Sequence, residues 1–261
     1  MSLAFFETKR KMLRMQDRLA DLQASDQSSF QELFDIVWVY HDAALDGEVY
    51  APEELRAALT DQVVTITESS STNLMRDIRA QKAAIEFIRR EAEKRTASPL
   101  LALTKSLHER LTPDASDRPG KYRRSGQLQR AYFHDIVDAG RISYLLRKTL
   151  TWAVSEDAER EHPIDVACRV HYDVIHVYPF EKNTGRVARL LLNYMLLRAG
   201  YAAAVIHAQD RQRYYESFRS PTPAALCSLV HESIENSIDS IERRLGGNRQ
   251  SSGTGRRVAL R

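Results

Sequence analysis

Long apolar runs are missing from this chain of 261 residues. Every hydrophobic stretch is short and interrupted by charge, whereas a membrane-spanning helix needs about 20 consecutive apolar residues. No charged start followed by an apolar stretch marks a signal peptide. Cysteine is scarce: Cys168 and Cys227 lie far apart within helical patterns, and read as buried, reduced thiols rather than a disulfide framework. The expectation is a soluble, cytoplasmic protein with no membrane partner. A net charge of +3 is too small to imply nucleic acid as a partner. Only 10 glycines and 8 prolines punctuate the sequence, so helical periodicity dominates it.

What is present is enough apolar residue, 43%, for a large core. One elaborated domain is the simplest reading, with two left open. Apolar positions recur at helical spacing near 3–23, 27–46, 52–60, 72–95, 98–111, 138–154, 163–177, 185–199, 209–218 and 223–245. The last of these is well marked, with Leu226, Val230, Ile234, Ile238, Ile241 and Leu245 every three or four residues. The run 187–197 is apolar nearly all round and predicts a central buried helix. The exception is 113–134, where Pro113, Pro119 and Gly120 precede Lys121-Tyr122-Arg123, a pattern that fits a short β-hairpin or an irregular flap. The predicted organisation is an N-terminal helical region over 1–95, a core over 96–222, a C-terminal helix over 223–245 and a flexible Gly/Ser/Arg-rich tail over 246–261.

Residues 176–189, His-Val-Tyr-Pro-Phe-Glu-Lys-Asn-Thr-Gly-Arg-Val-Ala-Arg, carry the clearest chemical signal. Pro179 stops one helix, and Asn183-Thr184-Gly185 supplies turn and N-cap chemistry for the next. A helix start presents free N–H groups and the positive end of its dipole to one spot. Arg186 and Arg189, three apart, fall on one side of its first turn. Fixed donors beside two guanidinium groups suit a phosphate. The plainer reading is a capped core helix whose arginines make ordinary salt bridges.

These residues resemble the Fic (Fido) family, and the resemblance extends roughly over residues 38–218. Pro119-Gly120-Lys121-Tyr122-Arg123 is similar to the segment that opens the family's flap hairpin. His162-Pro163-Ile164 and His171-Tyr172 are similar to the helix before its active loop. Asn193, Arg198-Ala199-Gly200-Tyr201 and Asp210-Arg211-Gln212-Arg213-Tyr214-Tyr215 are similar to the segments after it. The resemblance implies an all-α, mainly helical fold with a short β-hairpin flap. Lys121, Tyr122 and Arg123 would then form a docking edge for a protein target.

The family's active motif is H-P-F-x-[D/E]-G-N-G-R-x-x-R. In members that transfer AMP from ATP, its histidine is the general base, its acid holds Mg²⁺ and its turn and arginines bind phosphates. Tyr178 stands here at the histidine position and Lys182 at the acid position; Asn183 and Thr184 replace Gly and Asn, while Gly185, Arg186 and Arg189 match. A phenol with a pKa near 10 is a poor base at neutral pH. Lysine cannot ligate Mg²⁺, which wants oxygen, although it can contact phosphate directly. His176, on the last turn before Tyr178, is an alternative catalytic group, against the plainer reading of a satisfied helix histidine. Glu181 offers a displaced carboxylate. The breaks speak against Mg²⁺ and spare the place of a nucleotide such as ATP or another phosphate ligand; no cofactor is fixed by the residues.

Tyr40 to Gly47 resembles a worn copy of the family's inhibitory motif, [S/T]-x-x-x-E-[G/N], with Asp42 and Asp46 at its two key positions. The resemblance implies an ion pair between Asp46 and Arg189, against the plainer reading of Asp46 as an ordinary turn carboxylate. Three functions remain open: a nucleotide- or phosphate-binding regulatory protein without standard AMP transfer, a transferase using a different phosphate-containing donor with Tyr178 and Lys182 in new roles, or an interaction module using the flap. A homo-oligomer is compatible with each.

Overall fold

The computed structural model describes residues 3–59, 69–124 and 135–253. Its helices are α1 (Leu3–Ala20), α2 (Ala24–Asp46), α3 (Pro52–Leu59), α4 (Ser69–Glu93), α5 (Leu100–Leu111), α6 (Ile142–Trp152), α7 (Glu156–Glu159), α8 (Pro163–Val177), α9 (Thr184–Arg198), α10 (Arg211–Ser217) and α11 (Ala224–Gly253). No described helix is long and apolar enough to cross a membrane.

Helix α9 lies at the centre because its sequence is apolar over most of its circumference, apart from Arg186, Arg189 and Asn193. Twelve of its 15 residues are buried, from Thr184 to Leu196, and it packs against α8, α4 and α5. Asn193 is one of its few polar side chains. Its amide is paired on both sides: Oδ1 accepts from Ala204 N–H at 2.7 Å and Nδ2 donates to Ala204 O at 3.3 Å. That pins the buried segment 201–206 to the helix, since an unpaired amide there would be costly.

Helix α11 packs on α8, α10 and α1 through Leu226, Val230, Ile234, Ile238 and Ile241. Lys9 ties α1 down by donating to the carbonyls of Ala199 and Gly200 at 3.2 and 3.3 Å. One apolar core joins residues of α1 and α2 to those of α8, α9 and α11, so it is continuous across the expected regions 1–95, 96–222 and 223–245.

Most helix ends fall within a few residues of the sequence reading; one boundary and one added element differ more. The helix expected to end at 245 continues to Gly253. Gly246 and Gly247 cost about 1 kcal/mol each relative to Ala, and a helix already nucleated and packed propagates past them. The rest of the expected tail, 254–261, lies outside the described residues. The four-residue α7, capped by the Ser155 hydroxyl, is too short to show a period. Among the described residues there are no strands: 119–124 is irregular, and the remainder of the expected flap, 125–134, lies outside the described residues.

Candidate anion-binding site

The turn between α8 and α9 is built by three local devices. His162 caps α8, its Nδ1 accepting from Ile164 N–H at 3.3 Å, with Pro163 at the first helical position where a missing N–H costs nothing. Tyr178 closes the helix in the left-handed region, φ 47°, its N–H donating to Val174 O at 2.9 Å. Phe180 is then driven into the core, its ring flat on His108 with centroids 3.9 Å and planes 4° apart. His108 Nδ1 accepts from Gly120 N–H at 2.9 Å, which fixes the ring. Thr184 closes the turn: its hydroxyl accepts from Phe180 N–H and donates to Phe180 O, both at 3.0 Å.

Arg186 and Arg189 follow on the first turn of α9, and both are buried. Helix α2 brings Asp42 and Asp46, four apart and so on one face, directly against them. Arg189 Nε donates to Asp42, and its Nη2 reaches Asp42 O at 3.2 Å and Asp46 Oδ2 at 3.1 Å. Asp46 Oδ2 also lies 3.2 Å from Arg186 Nε, in ion-pair range though poorly aligned for a hydrogen bond, and Arg186 Nη2 donates to Glu48. Gln81 of α4 donates to the other oxygen of Asp42, and Tyr50 donates to Glu48 at 2.7 Å. Three carboxylates thus face two guanidinium groups.

The electrostatics follow from burial. Burial pushes the Asp42 carboxyl above its ordinary value, against the opposing pull of Arg189. Burial also penalises the Arg186 charge, yet Asp46 and Glu48 hold its pKa above normal. Asp77 of α4 is raised by burial, with Arg186 acting the other way. In this arrangement both arginines of α9 are already paired with the protein's own acids.

Several residues singled out from sequence stand elsewhere. His176 is not part of this cluster: its Nδ1 is 2.9 Å from Tyr172 O, one turn back on α8, and its ring packs on Tyr172 and Phe218. Tyr178 is 7% exposed and lies in the core cluster. Lys182 reaches outward to Asp117, its Nζ 2.7 Å from Oδ1, rather than over the turn. Asn183, at φ 59°, makes no side-chain cap; its Nδ2 donates to Leu111 O at 2.9 Å and Thr112 Oγ1 at 3.2 Å, joining the turn to the end of α5. Gly185 is buried in the first turn of α9.

On the flap side, Lys121 is exposed, while Tyr122 packs tilted on Phe180 at 5.8 Å with Lys105 over its ring. Arg123 corrects the expectation of a docking side chain, because it is 2% exposed and donates to the carbonyls of Val137, Val177 and Tyr178. The sequence reading missed Glu48, Gln81, His108 and Asp117. Glu48 had one signal, its position just after Asp46-Gly47; the others are brought in by tertiary packing.

In this conformation the Lys182 ammonium is held by Asp117, and both arginines are engaged by carboxylates.

Comparison with known proteins agrees with this fold. The Fic/DOC family model matches residues 100–196. The protein adenylyltransferase Fic of Aedes aegypti is 27% identical over 179 residues, 68% of this chain and 35% of that protein. The same-named protein of Drosophila virilis is 26% identical over 177 residues, again 68% of this chain and 36% of that protein. The chain therefore spans about a third of the length of these relatives. A Fic-domain signalling protein from Bacteroides thetaiotaomicron superposes with a TM-score of 0.69 at 19% identity, covering 89% of this chain and 97% of that one. A variant of Fic-1 from C. elegans gives 0.70 at 24% identity, covering 89% of this chain and 71% of that one. With the helical architecture around α8 and α9, these matches show that the chain has the mainly helical Fic fold, with residues 100–196 matching the Fic/DOC family model.

Proposed function

We propose that this protein keeps a phosphate- or nucleotide-binding cradle at Arg186 and Arg189, lacks the groups of standard AMP transfer, and acts as a phosphate- or nucleotide-responsive regulatory protein. The observation that carries this reading is the position of Asp46, within ion-pair distance of both cradle arginines. An incoming phosphate has to take those donors from Asp42, Asp46 and Glu48. Ligand occupancy and the placement of α2 are therefore linked: a ligand that prefers the arginines without their carboxylates shifts α2 away from them.

The names of the relatives point to adenylyl transfer, but the side chains that differ here fall on that chemistry. Tyr178 is a buried phenol at the base position and Lys182 an ammonium at the metal-acid position. General base catalysis contributes about 10² to 10⁴ in rate, and a metal ion several kcal/mol of charge stabilisation.

The test is a titration with pyrophosphate, ATP, CTP, UTP and GTP, with and without Mg²⁺, read by calorimetry and by mass spectrometry of the products. Binding that is weak, insensitive to Mg²⁺ and lost in a folded Arg186→Gln variant is expected, with no turnover. Turnover of any nucleotide would instead favour the transferase with an altered donor. Binding that survives Arg186→Gln unchanged would put the pocket elsewhere.

A further inference from the structure

The segment Asp210 to Tyr215 has no part in the cradle itself, yet it touches both sides of the ion-pair cluster. Helix α2 ends in a tight turn at Gly47. Gly47 N–H donates to Ala44 O at 3.1 Å and Glu48 N–H to Ala43 O at 3.0 Å. Those bonds satisfy two of the last carbonyls of α2 and leave that of Leu45, between Asp42 and Asp46, to an outside donor.

Helix α10 supplies that donor twice. Arg211 Nε donates to Leu45 O at 2.9 Å, and the Tyr215 hydroxyl donates to the same oxygen. The guanidinium lies over the Tyr215 ring at 4.8 Å, so each holds the other in place. A cation at a helix C-terminus is favourable in its own right.

The other half of the cluster meets the same helix. Tyr214 lies beneath Arg189, whose guanidinium carbon is 5.7 Å from the ring centroid, and its hydroxyl lies 3.0 Å from His171 Nε2. Just ahead of α10, Ala208 N–H donates to His41 Nδ1 at 3.2 Å, and His207 stacks on His41 at 4.4 Å. His41 immediately precedes Asp42.

We infer that Arg211 and Tyr215 are positioning residues that latch the last turn of α2, so that α10 sets how firmly Asp42 and Asp46 stay on Arg189 and Arg186. The inference rests on the reading of the cradle given above. The hydrogen bonds of both side chains run to Leu45 O, so their effect runs through the backbone of α2, with the Tyr215 phenol also close enough to feel the charges of Asp46 and Arg189. Loss of the latch frees a helix end whose carboxylates compete with phosphate, and so raises the affinity of the cradle for an anion. Hydrogen bonds involving a charged donor are worth about 1.5–3 kcal/mol, which corresponds to about tenfold or more.

The experiment compares the parent, Arg211→Ala/Tyr215→Phe, Arg211→Lys, and Asp42→Ala/Asp46→Ala/Glu48→Ala. Two readouts are taken on full-length folded protein: pyrophosphate affinity, and hydrogen exchange of the Gly47 and Glu48 amides. The latch predicts about tenfold tighter pyrophosphate binding and at least tenfold faster exchange in Arg211→Ala/Tyr215→Phe. Arg211→Lys, which retains a donor, should return both readouts most of the way to the parent. Unchanged exchange at Gly47 and Glu48 in the double variant overturns the latch, whatever pyrophosphate does. Tight binding by the triple carboxylate variant, but not by the double variant, overturns the latch and leaves the cradle standing. Faster exchange in the double variant with no binding by any variant supports the grip on α2 and refutes the cradle as an anion site.

Discussion

Arg123 Nε lies 2.6 Å from the carbonyl oxygen of Tyr178, the residue that closes α8. The same side chain serves Val177 O at 3.2 Å and Val137 O, while its backbone N–H donates to Pro179 O at 2.9 Å. One guanidinium thus satisfies the carbonyls that the end of α8 leaves unpaired, beside the turn that shapes the candidate site. Arg123→Ala is expected to lower unfolding free energy by about 3 kcal/mol, since it strands buried acceptors. Arg123→Lys should recover less than half, because a single ammonium lacks the fork that reaches three carbonyls. Urea denaturation measures both, and a loss below about 1 kcal/mol for Arg123→Ala would contradict this account.

Acid should weaken the fold through its buried histidines. Burial lowers the pKa of His108 to about 4 and of His171 to about 3; burial and the neighbouring His207 lower that of His41 to about 4. As pH falls below about 6.5 the unfolded chain takes up protons that the folded chain refuses, so the stability these groups contribute above that pH is lost between about 6.5 and 4. The buried carboxyls Asp42 and Asp173 have raised values and act with the opposite sign. The histidine contribution is therefore isolated by comparing denaturation midpoints of the parent and His108→Asn from pH 7.5 to 4.5. The variant's slope with pH should be shallower; parallel slopes would remove His108 from the explanation.

The helical frame was legible because it depends on period alone. A run apolar over most of its circumference, as in 187–197, has to be central, and the spacing from Leu226 to Leu245 has to face a core. The candidate site was legible as a string of residue types, and of its pairings only that between Asp46 and Arg189 was implied by the resemblance. Asp42 and Asp46 could be placed on one helix face from their spacing. That both meet the α9 arginines depends on how α2 and α4 pack, across more than 140 residues of sequence. Lys182 and Asn183 look like cradle residues in the linear motif. They turn to Asp117 and to the end of α5 because those partners lie beside the turn in the fold. Arg123 reads as an exposed docking residue, since a motif gives the position of a side chain and not its direction.

Glu48 reaches Arg186 only because the chain reverses at Gly47, where φ is +92°. A Cβ added there would lie 3.8 Å from Arg211 Nη2, ordinary contact distance, so a substitution suffers backbone strain rather than a clash. Gly47→Ala should cost about 1–2 kcal/mol, and Gly47→Asn less, because asparagine tolerates the left-handed region better. If the turn is what delivers Glu48, Gly47→Ala should also raise pyrophosphate affinity. Thermal denaturation and calorimetry read the two effects separately, and a neutral Gly47→Ala would deny the turn its role.

On the proposed reading, adenylyl transfer by this chain should require two changes at once. Tyr178→His returns an imidazole to the base position but leaves an ammonium where the metal needs oxygen. Lys182→Asp returns a carboxylate and also abolishes the ion pair with Asp117, yet leaves no base. Groups that act as one catalytic unit are non-additive, so the double variant should exceed the product of the singles. It should still be slow, because Asp42, Asp46 and Glu48 continue to hold the arginines that a triphosphate needs. The full gain is therefore expected only when Tyr178→His and Lys182→Asp are combined with Asp42→Ala, Asp46→Ala and Glu48→Ala. Asn183→Gly and Thr184→Asn belong last, since those side chains now brace the turn through Leu111 and Phe180. Incorporation of labelled AMP across this series is the measurement. Full activity from Tyr178→His alone would mean that Lys182 and the three carboxylates are both compatible with catalysis, and this account of the site would be wrong.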